Sequence, residues 1–184
     1  MNIDSQLEIN LYKNIIFLSL DIIMNILGVD PSLSNTGYGL LQVKESRYHP
    51  IEGGVIKTKS SENLEKRLSI IFDEFSSVIK KFNPEVIAVE DLHSRPKFAK
   101  TSILMGHARG VILSVAGLNN IKVFNYQPTQ AKNIVTGSGR ADKKQVMLSV
   151  SKILNNENLL KNEHVADAFS IAICHSIISQ SKII

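Results

Sequence analysis

The segment VIAVE at 86–90 restricts the fold more than any other. Four continuous apolar residues closed by an acid are too few for a helix and read as a strand buried on both faces, inside a sheet rather than at its edge. The chain enters this strand through a helical stretch. From Ser61 to Phe82 the apolar residues Leu64, Leu68, Ile71, Phe72, Phe75, Val78, Ile79 and Phe82 recur by threes and fours on one stripe, and Pro84 ends the pattern. A strand reached through a helix pairs parallel with an earlier strand, and its carboxyl end, here Glu90, is where such sheets form ligand sites.

The earlier strands are short and separated by turn residues. NILGVD at 25–30 is followed by the turn PSLSNT, then GYGLLQV, then GGVIKT, which predicts an antiparallel meander. After VIAVE, a second helix is expected over Ala99–Ala116, with Gly106 and Gly110 letting another backbone approach one face. KVFNY reads as a fifth strand, and QPTQAKNIV as a short helix with Pro128 near its first turn. A glycine-rich loop, TGSGRADKK, leads into QVMLSVSKIL, and a last helix runs from about Glu163 to Ile178. The order βββαβαβα followed by two helices predicts an α/β three-layer domain around a five-stranded sheet.

Composition narrows the setting. A length of 184 residues suits one domain with a substantial core. A net charge of +4 is compatible with a polyanionic partner and equally with a solvated surface. The single cysteine, Cys174, lies in the apolar run FSIAICHSII and is expected to be a buried thiol in a reducing, cytoplasmic compartment. The apolar run NIIFLSLDIIMNILGV is broken by Asp21 and Asn25, short of the roughly 18 residues a membrane span needs, so no spanning helix is expected there. IIFLSL has the length of a signal core but follows Asp4 and Glu8 and precedes no small-residue cleavage site. Residues 1–23 are therefore expected to be a dispensable extension, and 24–184 the folded domain.

Four ionisable residues fall where a fold would gather them. Asp30 closes the first strand and Glu90 closes VIAVE. His164 and Asp167, three apart in HVAD, share one face at the start of the last helix. Carboxylates at the ends of neighbouring strands, about 4.8 Å apart, can share a cation. Hard divalent ions such as Mg²⁺ favour such oxygens, and a pair of ions about 4 Å apart clamps a phosphodiester for hydrolysis. Each residue alone has an ordinary reading: a turn-former before Pro31, a charged strand end, an exposed helix carboxylate. His164 is open between metal ligand, proton shuttle and surface residue.

The segments GVDPSLSNTGYGLL, IAVEDLHSRPKFAKTSILMGHARGV, QPTQAKNIVTGSGRADKKQV and HVADAFSIAICH, read together, resemble the four signature segments of the RuvC-type crossover junction endonucleases, the Holliday junction resolvases of bacteria. The resemblance runs from about Asn25 to His175. It implies an RNase H-like nuclease domain over 24–184, with a mixed five-stranded sheet flanked by helices. It also implies a homodimer, and paired nicks dependent on Mg²⁺ (two ions per active site) or Mn²⁺, placed symmetrically across a four-way DNA junction. Asp30 matches the first catalytic carboxylate, Glu90 the second and Asp167 the fourth. Position 164, Asp in many members, is His in others, and its nitrogen would favour Mn²⁺. Lys132 and Lys143 match basic residues near the scissile phosphate. In the loop after Glu90, where the family often stacks an aromatic on junction bases, His93 and Phe98 are the candidates, and Arg95 and Lys97 add positive charge. Partnership with the branch-migration proteins RuvA and RuvB is implied as well. Three rivals remain: the same fold acting on RNA or RNA–DNA hybrids; a nucleotide-handling domain of the actin or sugar-kinase type, which would need a second phosphate loop and a longer chain; and a catalytically silent junction-binding protein, against which the retained carboxylates speak.

Overall fold

In a computed structural model of the chain, residues 23–92, 99–156 and 162–181 are described. Three strands come first: β1 (Met24–Asp30), β2 (Asn35–Lys44) and β3 (Arg47–Lys57). They are followed by α1 (Leu64–Phe82), β4 (Val86–Glu90), α2 (Ala99–Leu118), β5 (Lys122–Tyr126), α3 (Pro128–Thr136), α4 (Lys143–Leu154) and α5 (Glu163–Ser181). The element order is the one expected from the sequence.

The sheet is mixed, in the order β3-β2-β1-β4-β5. β1, β2 and β3 form the antiparallel meander, while β4 pairs parallel with β1 on one side and with β5 on the other. VIAVE thus occupies an interior position, and Ile87, Ala88 and Val89 are fully buried.

Two cores lie on opposite faces of the sheet. On one, Leu27, Val29, Ile87 and Val89 pack with Ile71, Phe75 and Ile79 of α1 and Ala108, Ile112 and Val115 of α2. On the other, Ile26, Leu41 and Ala88 pack against Phe169, Ile171, Ala172 and Ile173 of α5, which α3 and α4 cover from outside. Because α5 is enclosed between sheet and helices, it is apolar almost all round, as a fully buried helix must be. Cys174 is buried there as expected, and burial pushes its thiol up to about 12, so it stays protonated.

Three details depart from the sequence reading. Phe72, placed on the core stripe of α1, is 39% exposed, whereas Arg67 is buried on the inner face. Gly106 and Gly110 admit no close backbone among the described residues. A β-carbon at Gly106 would meet only Leu92 Cδ1, at 3.7 Å, and one at Gly110 nothing within 4 Å. Finally, Lys100–Leu118 of α2 is by length and composition alone apolar enough to cross a membrane. Its inner side, through Ala108, Ile112, Val115 and Ala116, is part of the core.

Candidate active site

The parallel register pairs Val29 with Val89, so the next residues, Asp30 and Glu90, end their strands level with each other. Side chains alternate along a strand, so each acid shares a face with the residue two before it. For Asp30 that residue is Gly28, which faces Ala168 of α5, and for Glu90 it is Ala88, in the α5-side core. Both carboxylates therefore emerge on the face where α5 begins.

Two glycines let α5 come this close. A β-carbon at Gly28 would stand under 3.0 Å from the Ala168 carbonyl oxygen, and one at Gly37, the partner of Asp30 on β2, under 3.0 Å from the His164 carbonyl. With hydrogen at both positions the first turns of α5 lie on the sheet end. Asn162 starts the helix: its Oδ1 accepts from the His164 backbone N–H at 2.9 Å, the side-chain capping that helix starts favour. His164 and Asp167 then point toward the strand ends on one helix face.

The electrostatics show how close these groups are. His164 Nδ1 lies 3.0 Å from Asp30 Oδ2, and this bond raises the imidazole above its usual value against the opposing effect of burial. Burial first, then the charges of Asp30 and Asp167, push the Glu90 carboxyl up to about 8, while Lys132 works the other way. Asp167 is pushed up to about 6, by burial and then by Asp30, against Lys132, Lys143 and His164. Glu90 and Asp167 thus resist ionising, through burial and the charge of Asp30, and a cation placed among the three carboxylates would relieve both.

Two lysines stand near enough to the acids to act on them. Lys132, on α3, acts on both Glu90 and Asp167. Lys143, the first residue of α4, is held by Glu163 at 2.8 Å, a bond that raises the lysine and lowers the glutamate. A capping box, Asp142 with Gln145, fixes that helix start, with both bonds at 2.9 Å. Sequence reading did not single out Glu163. Nor did it single out Asn35 and Lys57, which with Met147, Asn162 and His164 line an open cleft of about 450 Å³ beside the site.

Asp91, adjacent to Glu90, belongs to a different network. Gln127 Nε2 donates to its Oδ2 at 3.0 Å, and Arg109 Nη2 lies 3.6 Å from its Oδ1. The loop candidates His93, Arg95, Lys97 and Phe98 lie outside the described residues.

Among the described residues no three acid or imidazole groups stand in common metal-ligating reach, and His164 Nδ1 is turned onto Asp30. The donor chemistry nonetheless fits a hard divalent cation. Glu90 and Asp167, whose proton affinity is raised by burial and by the neighbouring charge of Asp30, would be stabilised by a positive ion, and carboxylate oxygens are the donors such ions take.

The chain is similar to known proteins over most of its length. The family described as crossover junction endodeoxyribonuclease RuvC matches residues 26–175. The protein of that name from Alkaliphilus oremlandii is 40% identical over 153 residues, covering 83% of this chain and 93% of the relative. Its counterpart in Halothermothrix orenii is 43% identical over 152 residues, covering 83% and 92%. The structure of Thermus thermophilus RuvC in complex with a Holliday junction substrate superposes with a TM-score of 0.79 at 30% identity, covering 86% of this chain and 96% of that one.

Proposed function

This chain belongs to the RuvC family of crossover junction endodeoxyribonucleases, and from that premise we infer that it is an endonuclease that resolves four-way DNA junctions, with Asp30, Glu90, His164 and Asp167 as its active site. The observation that carries the residue assignment is the level pairing of Asp30 and Glu90 on adjacent parallel strands, facing the glycine-seated start of α5.

The family is one of divalent-metal nucleases, and the finer reading is two Mg²⁺ ions per site, with Mn²⁺ admitted by the His164 nitrogen. Bound there, the ions would supply the charge that activates a water and stabilises the departing 3′-oxygen. Asp30, Glu90 and Asp167 are the oxygen donors. His164 orients the Asp30 carboxylate through its Oδ2. Lys132 and Lys143 hold the carboxylates closer to ionisation and meet the incoming phosphate.

Two opposed nicks in one junction need two sites related by a two-fold axis, which supports a homodimer. The outer face of α2 is the surface proposed for it: Ile103 is 61% and Leu118 71% exposed, and Gly110 stands open between them. Light scattering with junction present tests this, and a monomer refutes it. The same reading includes work beside RuvA and RuvB in the cytoplasm, a nuclease domain over 24–184 that folds without 1–23, and junction contacts by His93, Arg95, Lys97 and Phe98.

The deciding experiment is nicking of a labelled mobile four-way junction beside linear duplex and RNA–DNA hybrid, with Mg²⁺, Mn²⁺ or chelator. Symmetric metal-dependent nicks confined to the junction are expected, and cleavage of the hybrid instead would move the chain to RNA chemistry. Asp167→Asn should abolish nicking and leave junction binding largely intact; full activity in that variant overturns the site.

A further inference from the structure

Arg67 is a guanidinium 9% exposed, on the inner side of α1, and among the described residues it makes no ion pair. Its Nε donates to Thr58 Oγ1 and its Nη2 to Ser34 Oγ, both at 2.8 Å, so its partners among the described residues are neutral hydroxyls. Thr58 in turn donates to the Leu33 carbonyl, and its N–H bonds the Ser34 carbonyl at 3.1 Å. Arg67 thereby fastens the turn that begins one residue after Asp30. Fastening explains two of its nitrogens and leaves its charge uncompensated. An arginine is charged at any working pH, and burying that charge without an anion is costly.

A cavity of about 130 Å³ opens onto this guanidinium, lined by Ser32, Ser34, Arg67, Thr101, Leu104 and Met105. Nη1 makes no bond among the described residues. Ser34 accepts from Arg67 and keeps its own O–H to donate, and among the described residues the hydroxyls of Ser32 and Thr101 have no partner. One delocalised cation and three hydroxyl donors, set against apolar Leu104 and Met105, present donors and no carboxylate. That is the chemistry that recognises a tetrahedral oxyanion, and the apolar wall strengthens it by lowering the local dielectric.

We propose that the cavity between the β1–β2 turn, α1 and α2 is a phosphate subsite, in which Arg67 with Ser32, Ser34 and Thr101 holds a backbone phosphodiester of the junction other than the one being cleaved. The subsite rests on the functional reading above for its ligand. Through the turn that Arg67 fastens, it would tie strand engagement to the position of Asp30.

The test uses the full chain. Junction binding is measured in chelator across a salt series for wild type, Arg67→Gln and Thr101→Glu, and thermal unfolding is followed with and without inorganic phosphate at matched ionic strength. Arg67→Gln should weaken junction binding roughly tenfold and reduce the slope of log affinity against log salt by about one. Thr101→Glu places a carboxylate on an exposed first-turn position beside the cavity, so it tests the idea even if Arg67→Gln fails to fold. It should raise the unfolding temperature, abolish protection by phosphate and show the same reduced slope. An unchanged slope and affinity in a folded Thr101→Glu overturns the proposal, as does wild-type unfolding indifferent to phosphate. A slope unchanged while dimerisation is lost would assign Arg67 to the subunit contact and overturn it too. If wild type fails to bind the junction, it is the functional reading that falls, and phosphate protection still tests the cavity.

Discussion

Glu90→Gln should make the metal-free protein more stable while destroying its activity. Glutamine matches the protonated acid in shape and cannot ionise. In the folded chain the Glu90 carboxyl is pushed up to about 8 from its ordinary 4.5, a rise of 8 − 4.5 = 3.5. At about 1.36 kcal/mol per unit this is at most about 5 kcal/mol, and solvent relaxation around a partly buried group brings it to roughly 2–3 kcal/mol. The sign follows from linkage. The folded state retains the proton that the unfolded chain releases near 4.5, so the stability carried by neutral Glu90 is complete below that pH and is lost as pH rises to about 8. The variant escapes the loss. Urea unfolding in chelator at pH 5, 7 and 9 should show the two proteins converging at pH 5 and the variant ahead at pH 9, with a melting temperature about 5–10 °C higher. Saturating Mg²⁺ should reverse the order, because only the intact carboxylates gain from the ion. A variant no more stable than wild type at pH 9, or a wild type equally stable at pH 5 and 9, would refute the account of Glu90 as an acid held under mutual repulsion.

Gly37→Ala should cost about 2–4 kcal/mol in urea unfolding, since its β-carbon would collide with the His164 backbone, and should lower nicking more than junction binding as the first turn of α5 is displaced. His164→Ala removes the Asp30 partner. The folded imidazole is raised by that bond, so the pair's stability is fully present below its ordinary value of 6.5 and lost as pH climbs through the raised one. In chelator the deficit of the variant should therefore be largest at pH 6 and vanish by pH 9, and an equal deficit at both would sink the pairing. Lys132→Met should move the acid limb of the nicking pH profile to higher pH, because this cation lowers the proton affinity of both Glu90 and Asp167; an unmoved limb would separate Lys132 from the site.

The parts legible in sequence were those set by local pattern. An apolar run ending in an acid gives a strand and its tip. Strand parity then does what composition cannot and separates the neighbours Glu90 and Asp91. The first shares a face with Ala88 and meets α5, while the second lies beyond the strand end, where Gln127 and Arg109 engage it. The closeness of α5 was written in Gly28 and Gly37, but only pairing tells that one sits beside Asp30 and that both lie beneath one helix. Lys143 with Glu163 was out of reach for a similar reason, because residues at the starts of two different helices meet only once both are docked.

The misreadings on α1 share one cause. Counting apolar residues put Phe72 inside and passed over Arg67, yet Arg67 is three residues after Leu64 and four before Ile71, on the stripe itself. Phe72 sits one step, about 100°, around from Ile71 and falls off the narrower face that α1 turns to the sheet. A stripe read for hydrophobicity alone treats a charged member as an interruption. Here the interruption is satisfied by Ser34 and Thr58, at separations of 33 and 9 residues, and neither hydroxyl carries a charge. A fold that needed Arg67 only as a tether could have used a neutral donor. Retaining a full positive charge beside an open cavity, one turn of chain from Asp30, is explained more directly by an anion that arrives with the substrate.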